Sequence, residues 1–152
     1  MMGITKEQVF ELLDKISFFK AFTAEEIKII PDLKPGVISY VKGKHIVRQG
    51  DTDRAVYLLI KGKAKVTRKE KNSVILNTLK PGDVFGEIAY FSQKPRSTNI
   101  IALEDTIALK MDWSLLDNMD GTIKNKIKDT LIDILIQRIK DMNSVLIEYS
   151  RR

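Results

Sequence analysis

From Val37 to Met111 no single pattern lasts more than seven residues or so, and this broken rhythm constrains the fold more than any other feature. Short alternating or apolar runs cover 37–41, 44–47, 55–60, 64–68, 74–79, 97–103 and 106–111. Turn-forming residues punctuate them at Lys42-Gly43, Gly50-Asp51, Lys61-Gly62, Lys71-Asn72, Pro81-Gly82 and Glu104-Asp105. Strands of this length, with turn signals about every 8 to 12 residues, argue for an antiparallel sandwich or jelly roll. Nothing in the stretch alternates helix with strand as a doubly wound sheet requires.

Helices are expected on both sides. Thr5 with Gln8 and Thr23 with Glu26 each form a capping box, in which side chain and backbone satisfy each other's free amides. The first opens a helix carrying Val9, Phe10, Leu13 and Ile16 at helical spacing, and Pro31 closes the second. Between them Phe18, Phe19 and Phe22 are placed to anchor the pair on a core. After the strands, Asp112 can cap a short turn around Trp113–Met119, which Asp120-Gly121 breaks. No Pro or Gly then interrupts 122–149, a single long helix with two apolar stripes. Ile123, Ile127, Leu131 and Ile134 form one stripe. Ile132, Leu135, Ile139, Met142, Leu146 and Tyr149 form the other, in alternating steps of three and four, the spacing of a coiled-coil seam. A helix partly packed on its own chain and partly on a second copy accounts for both stripes better than one wide buried face. Neither flank can bury its apolar face alone, so the expectation is one domain over 1–152: helices in 1–36, strands in 37–112, helices in 113–150.

Composition removes whole classes of chemistry. With no cysteine and His45 as the only imidazole, there is no disulfide, thiolate site, cysteine nucleophile or multi-histidine metal site. His45 itself sits at a strand start and reads as a surface residue. Met1–Leu13 carries Lys and Glu where a leader peptide is apolar, and no apolar run reaches the ~20 residues of a membrane span, so a cytoplasmic location is expected. The net charge is +6, which suits an anionic partner. However, Lys61, Lys63 and Lys65 alternate with Gly62, Ala64 and Val66, as on the solvated face of a strand, and that reading is preferred to a nucleic-acid stripe.

Residues 81–99, Pro-Gly-Asp-Val-Phe-Gly-Glu-Ile-Ala-Tyr-Phe-Ser-Gln-Lys-Pro-Arg-Ser-Thr-Asn, carry the chemistry. Val84-Phe85 ends a strand, Gly86 permits a tight turn, Glu87–Phe91 forms a turn or two of helix, and Pro95 ends it. Amides at the helix start suit an anion. Arg96, returning on the next strand, brings a planar two-pronged donor to it. A carboxylate at Glu87 beside a phosphate needs another task, and accepting a bond from a sugar hydroxyl is one. Phosphate donors with a ribose acceptor describe a nucleotide pocket with neither metal nor catalytic base. The competing reading is an Arg96–Glu87 bridge at the surface, worth ~0–1 kcal/mol, which leaves Gly86 and Pro95 unexplained.

The run Phe-Gly-Glu-Ile-Ala followed by Pro-Arg, with Glu87 and Arg96 nine apart, resembles the phosphate-binding cassette of cyclic nucleotide-binding domains. Regulatory subunits of cyclic-AMP-dependent protein kinase, cyclic-nucleotide-gated channels and the bacterial catabolite activator protein belong to that family. Gly43, Gly50-Asp51, Tyr57-Leu58-Leu59-Ile60 with Gly62, and Gly82-Asp83 agree in order. The resemblance spans nearly the whole chain and implies an eight-stranded antiparallel jelly-roll barrel with N-terminal helices and a long C-terminal helix. It also implies a non-enzymatic receptor whose ligand, cyclic AMP or cyclic GMP, repositions the helices after residue 112 and so signals to an effector protein. By position it assigns Glu87 to the ribose 2′-hydroxyl and Arg96 to the cyclic phosphate. Phe85, Gly86, Ile88 and Ala89 would line the cassette, with Ser97 adding a hydroxyl.

The chain departs from the pattern in three places. Thr98-Asn99 stands where many cyclic-AMP binders have Ala-Thr or Ala-Ser, and Gln93 where kinase regulatory members commonly have Gly. Thr98 either crowds or contacts the phosphate, and Asn99 has both a donor and an acceptor for a purine edge. In this family the C-terminal helix covers the base; Asn143 is the polar candidate there, whereas Met142 belongs to the seam. Tyr57, Tyr90, Phe91 and Trp113 read as packing. Two rival functions remain. One is a ligand-free interaction module that dimerises through 122–149. The other is a DNA-binding regulator, disfavoured because the chain stops at Arg152 without a helix-turn-helix.

Overall fold

The structure, a computed structural model, describes residues 4–32, 36–69, 73–119 and 121–151. The expected turn at Lys71-Asn72, the break at Asp120 and the packing of the Trp113 side chain fall outside the described residues. The chain divides into two compact units, 1–118 and 119–152.

In the first unit both capping boxes form. Thr5 and Thr23 each accept from the backbone N–H three residues on, while the Gln8 and Glu26 side chains accept from the N-cap amides at 2.9 and 2.8 Å. They open α1 (Lys6–Asp14) and α2 (Ala24–Ile29), and a 3-10 turn containing Pro31 follows α2. The Phe18, Phe19 and Phe22 rings are buried against one another, with neighbouring centroids at 4.9 and 5.1 Å, the edge-to-face spacing that aromatic quadrupoles favour.

Eight strands follow: β1 (Gly36–Tyr40), β2 (His45–Val47), β3 (Ala55–Lys61), β4 (Ala64–Lys69), β5 (Ser73–Leu79), β6 (Val84–Phe85), β7 (Asn99–Ala102) and β8 (Thr106–Asp112). They form two antiparallel four-stranded sheets, ordered β1-β8-β3-β6 and β2-β7-β4-β5. The sheets stay separate among the described residues, so the expected barrel is present as two layers rather than one closed ladder. The core lies between them. Ala55, Ala64, Ala102 and Ala108 are small enough to let the layers approach around Tyr57, Leu59, Phe85 and Ile100. Burial of such apolar area, at about 25 cal/mol per Å², is the main term holding the layers together. β4 carries a bulge at Val66/Thr67. Between β6 and β7 runs α3 (Glu87–Ser92), and α4 (Trp113–Asp117) follows β8.

The second unit is α5 (Gly121–Ser150). Ile123, Ile127 and Leu131 are buried, whereas Ile132, Ile139, Met142, Leu146 and Tyr149 of the heptad seam are exposed. The two stripes therefore differ in environment, as their separate spacing suggested. No helix among the described residues is long and apolar enough to cross a membrane.

Candidate ligand-binding site around Arg96

The cassette begins where β6 ends. Gly86 caps α3 with φ +81°, a left-handed conformation that costs a side-chain-bearing residue roughly 1–2 kcal/mol. Space excludes a side chain as well: a Cβ there would lie 2.7 Å from Arg96 Nη1 and 3.0 Å from the Ala55 carbonyl oxygen. Glycine is thus what allows a guanidinium to sit against this turn. The six-residue helix α3 ends at Gln93, which adopts a left-handed conformation (φ +61°) at a steric cost that a glycine there would avoid.

Arg96 lies in the loop ahead of β7, three residues before the strand begins, and not on the strand itself. Its backbone is clamped to the Gly50-Asp51 turn: the Arg96 N–H donates to the Asp51 carbonyl at 2.7 Å, and its carbonyl accepts from Gly50 at 2.8 Å. The side chain is only 4% exposed. Nε and Nη2 donate to the two Asp53 carboxylate oxygens at 3.2 and 2.7 Å. Nη2 also donates to the Ala55 carbonyl at 2.6 Å, and Nη1 to the Gly86 carbonyl at 2.8 Å. The guanidinium lies 5.8 Å from the centre of the Tyr57 ring. A charge this deep persists only when its donors are answered.

Asp53 is therefore central to the site, and sequence reasoning missed it. Asp53 is 43 positions from Arg96, and no local pattern links the two. The signal available was only that Asp51 and Asp53 follow a turn that faces the cassette. The surface-bridge alternative fails on both counts, because Arg96 is buried and its carboxylate partner is Asp53. The Arg96 bonds hold the Asp53 carboxyl below its ordinary range, aided by Lys110 and against the opposing pull of burial. Burial, with the Asp53 charge nearby, pushes the Tyr40 hydroxyl up to about 12 and raises Tyr57 further.

The other expected residues fall into distinct environments. Glu87 is buried beside Gly86, and Ala89 is buried one position beyond Ile88, which is 65% exposed. Phe85 stacks on Tyr57 at 5.0 Å with rings nearly parallel, so its ring belongs to the core. Ser97 is exposed and Thr98 half-buried. The Asn99 side-chain oxygen accepts from the Gln49 backbone at 2.8 Å, tying β7 to the end of β2. Asn143 lies on α5 and is exposed. Tyr57 and Tyr90 are buried packing residues as expected, and Phe91 is partly exposed against Tyr90. His45 opens β2 half-buried, with burial and Arg48 lowering its basicity.

A sequence model of the cyclic nucleotide-binding domain matches residues 37–119, from β1 through the cassette to α4. The chain belongs to the cyclic nucleotide-binding domain family. This is a regulatory family that is generally non-catalytic. The chain is 27% identical over 132 residues to the cAMP-dependent protein kinase regulatory subunit of Dictyostelium discoideum, covering 82% of this chain and 40% of that protein. It is 35% identical over 123 residues to human cGMP-dependent protein kinase 2, covering 78% of this chain and 16% of that one. It thus spans less than half the length of either relative. Among solved structures, a cyclic nucleotide-binding domain from Methylobacillus flagellatus superposes with a TM-score of 0.76 at 20% identity, over 95% of this chain and 83% of that one. That likeness extends the shared fold to nearly the whole sequence.

Proposed function

We propose that the chain is a non-enzymatic receptor module for cyclic AMP or cyclic GMP. Residues 85–99 form the cassette, Arg96 meets the cyclic phosphate, and Glu87 accepts from the ribose 2′-hydroxyl. Gly86, Ile88, Ala89, Ser97 and Thr98 line the phosphate side. The helices after residue 112 read out binding and pass it to an effector protein. The observation that supports this best is the cassette itself: a buried guanidinium pinned against a glycine that admits no side chain, within a match to the cyclic nucleotide-binding family. One relative is a cAMP-dependent protein kinase regulatory subunit and another a cGMP-dependent protein kinase, so either base is compatible with this reading. A thermal-shift panel with cyclic AMP, cyclic GMP and linear nucleotides tests it. A ligand at a hundredfold excess over its Kd stabilises the folded state by about 2.7 kcal/mol, a rise of roughly 5–10 °C in Tm for a domain of this size. No shift with either cyclic nucleotide at millimolar concentration rejects it.

A second reading, self-association, has its own support in α5. Ile132, Ile139 and Leu146 alternate with Leu135, Met142 and Tyr149, and most of these side chains are exposed. Isoleucine fills two of the three first heptad positions and leucine one of the three fourth positions, so the seam follows in part the pattern that favours a parallel two-stranded coiled coil. Sedimentation equilibrium distinguishes monomer from dimer directly.

A further inference from the structure

The net charge of the chain is concentrated in one hairpin. Residues 61–80, from the end of β3 through β4 and β5, hold seven lysines and arginines and a single acid, Glu70. The other 132 residues hold 19 of each sign, so this stretch matches the whole net charge of +6. The next basic stretch, 121–152, has an excess of three, offset by a deficit of three over 1–60 and 81–120 together. Among the described strands, only β5 also leaves large apolar side chains exposed: Val74, Ile75 and Leu76, consecutive and 52, 65 and 54% exposed.

The register places these features together. β5 is the outer strand of its sheet. At the base of the hairpin Ala64 pairs with Leu79, and both are buried, as is Thr67 further along. The bulge at Val66/Thr67 makes Leu76 the extra residue on β5, and a bulge bends and twists its strand. Beyond it the arm passes the edge of the core: Arg68 pairs with Val74 and both are exposed, as are Lys69 and Ile75. Paired residues share a face, so a guanidinium stands beside an apolar side chain. The Gln49 side chain bonds the Lys69 backbone twice, at 2.9 and 3.3 Å, and ties the arm to the segment after β2.

We propose that the β4–β5 arm docks on an anionic lipid surface. Val74, Ile75 and Leu76 enter the headgroup region, and Arg68, Lys69 and Lys71 meet the lipid phosphates and carboxylates. This goes beyond the receptor reading and does not depend on it. Aliphatic side chains gain when they pass from water to the boundary of headgroups and acyl chains, and neighbouring basic residues draw in anionic lipid. Each Lys or Arg close to such a surface adds about fivefold in affinity. Lys65 lies midway along β4, while Lys61, Lys63 and Lys80 stand at the base of the hairpin and add to the field from further away. Nucleic acid would use the charge but leave residues 74–76 unanswered, because its interfaces are polar. A protein partner would answer the apolar side chains, but protein interfaces are poor in lysine. An anionic membrane answers both.

The test is co-sedimentation of the full chain with phosphatidylcholine vesicles, with and without about 30% phosphatidylserine, at low and high salt. Binding is expected only with phosphatidylserine and should weaken at least about tenfold at high salt, where the charges are screened. Arg68→Gln with Lys69→Gln and Lys71→Gln should cost about a hundredfold in vesicle affinity. Val74→Ser with Ile75→Ser and Leu76→Ser should cost at least about tenfold. Lys124→Gln with Lys126→Gln and Lys128→Gln, in the next most basic stretch, should stay within about threefold of wild type. No binding to phosphatidylserine vesicles overturns the proposal, as does an equal loss in the Lys124 set. Full binding by the serine variant overturns it too, because adsorption by charge alone needs no docked arm. Tighter binding to duplex DNA than to the vesicles assigns the arm to nucleic acid instead. A lipid-free dimer that the serine variant abolishes assigns it to a second copy of the chain. If either hairpin variant fails to fold, the cysteine-free sequence allows Leu76→Cys to carry an environment-sensitive dye. Its emission should shift to the blue with phosphatidylserine vesicles and not with phosphatidylcholine, and an unchanged spectrum contradicts insertion.

Discussion

The cassette and α5 each invert the usual distribution of side chains, in opposite senses. At the cassette a charged group, Arg96, is buried to 4% exposure; along α5 large apolar groups are exposed, Met142 and Leu146 each to 64%. The buried charge is answered four times over by Asp53, Ala55 and Gly86, so it is held within the fold, with one Nη1 donor unbonded among the described residues. The exposed seam is answered by nothing in its own heptads, and its apolar surface contributes stability only on association. One inversion is a charge satisfied inside the fold, and the other an apolar surface left exposed on the helix.

Arg96→Ala breaks the comparison on the cassette side with the largest effect. Affinity for cyclic nucleotide is expected to fall by ~2–5 kcal/mol, the scale for removing one partner of a buried charged contact, as read by titration calorimetry. Gly86→Ala comes next, with about 1–3 kcal/mol of lost stability in urea melts. Its Cβ meets the Ala55 carbonyl and a guanidinium already locked by four bonds. Gly50→Ala is the control, because it too has a positive φ but open space around its Cβ, and it should cost about 1 kcal/mol. On the α5 side, Ile139→Lys with Leu146→Lys abolishes any self-association by sedimentation and leaves the urea midpoint within about 0.5 kcal/mol, since both side chains are exposed. The smallest effect is on acid stability. Asp53 has a depressed pKa in the folded chain, so its contribution is present above the ordinary carboxylate value near 3.9 and is lost as pH falls through the folded value. Asp53→Asn should lower stability above pH 4, where the ionised carboxylate contributes, and flatten the part of the curve below it.

Much of this architecture was legible because it is local. The capping boxes at Thr5 and Thr23, the turn glycines and the period-two runs each state a geometry within a few residues, and every expected strand appears with its ends within two positions of those expected. Gly86, Glu87 and Arg96 could be singled out because a short turn and a proline isolate them. The partner of Arg96 could not be read, because Asp53 reaches it only after β3 and β6 are paired through Tyr57 and Phe85. The separation of the strands into two sheets has the same origin: pairing between distant segments is decided by packing that no window of sequence contains. Asn99 is a related case. Its donor and acceptor suggested a base contact, and in the folded chain its oxygen holds the Gln49 amide.

The receptor reading depends on whether the turn carrying Gly86 and Arg96 holds a cyclic phosphate. Titration calorimetry of the wild-type chain with cyclic AMP and cyclic GMP measures this directly. Saturable binding of at least one of them at one site per chain, abolished or severely weakened by Arg96→Ala, is the predicted result. No heat of binding from either nucleotide at millimolar concentration, or equal affinity for wild type and Arg96→Ala, would contradict it.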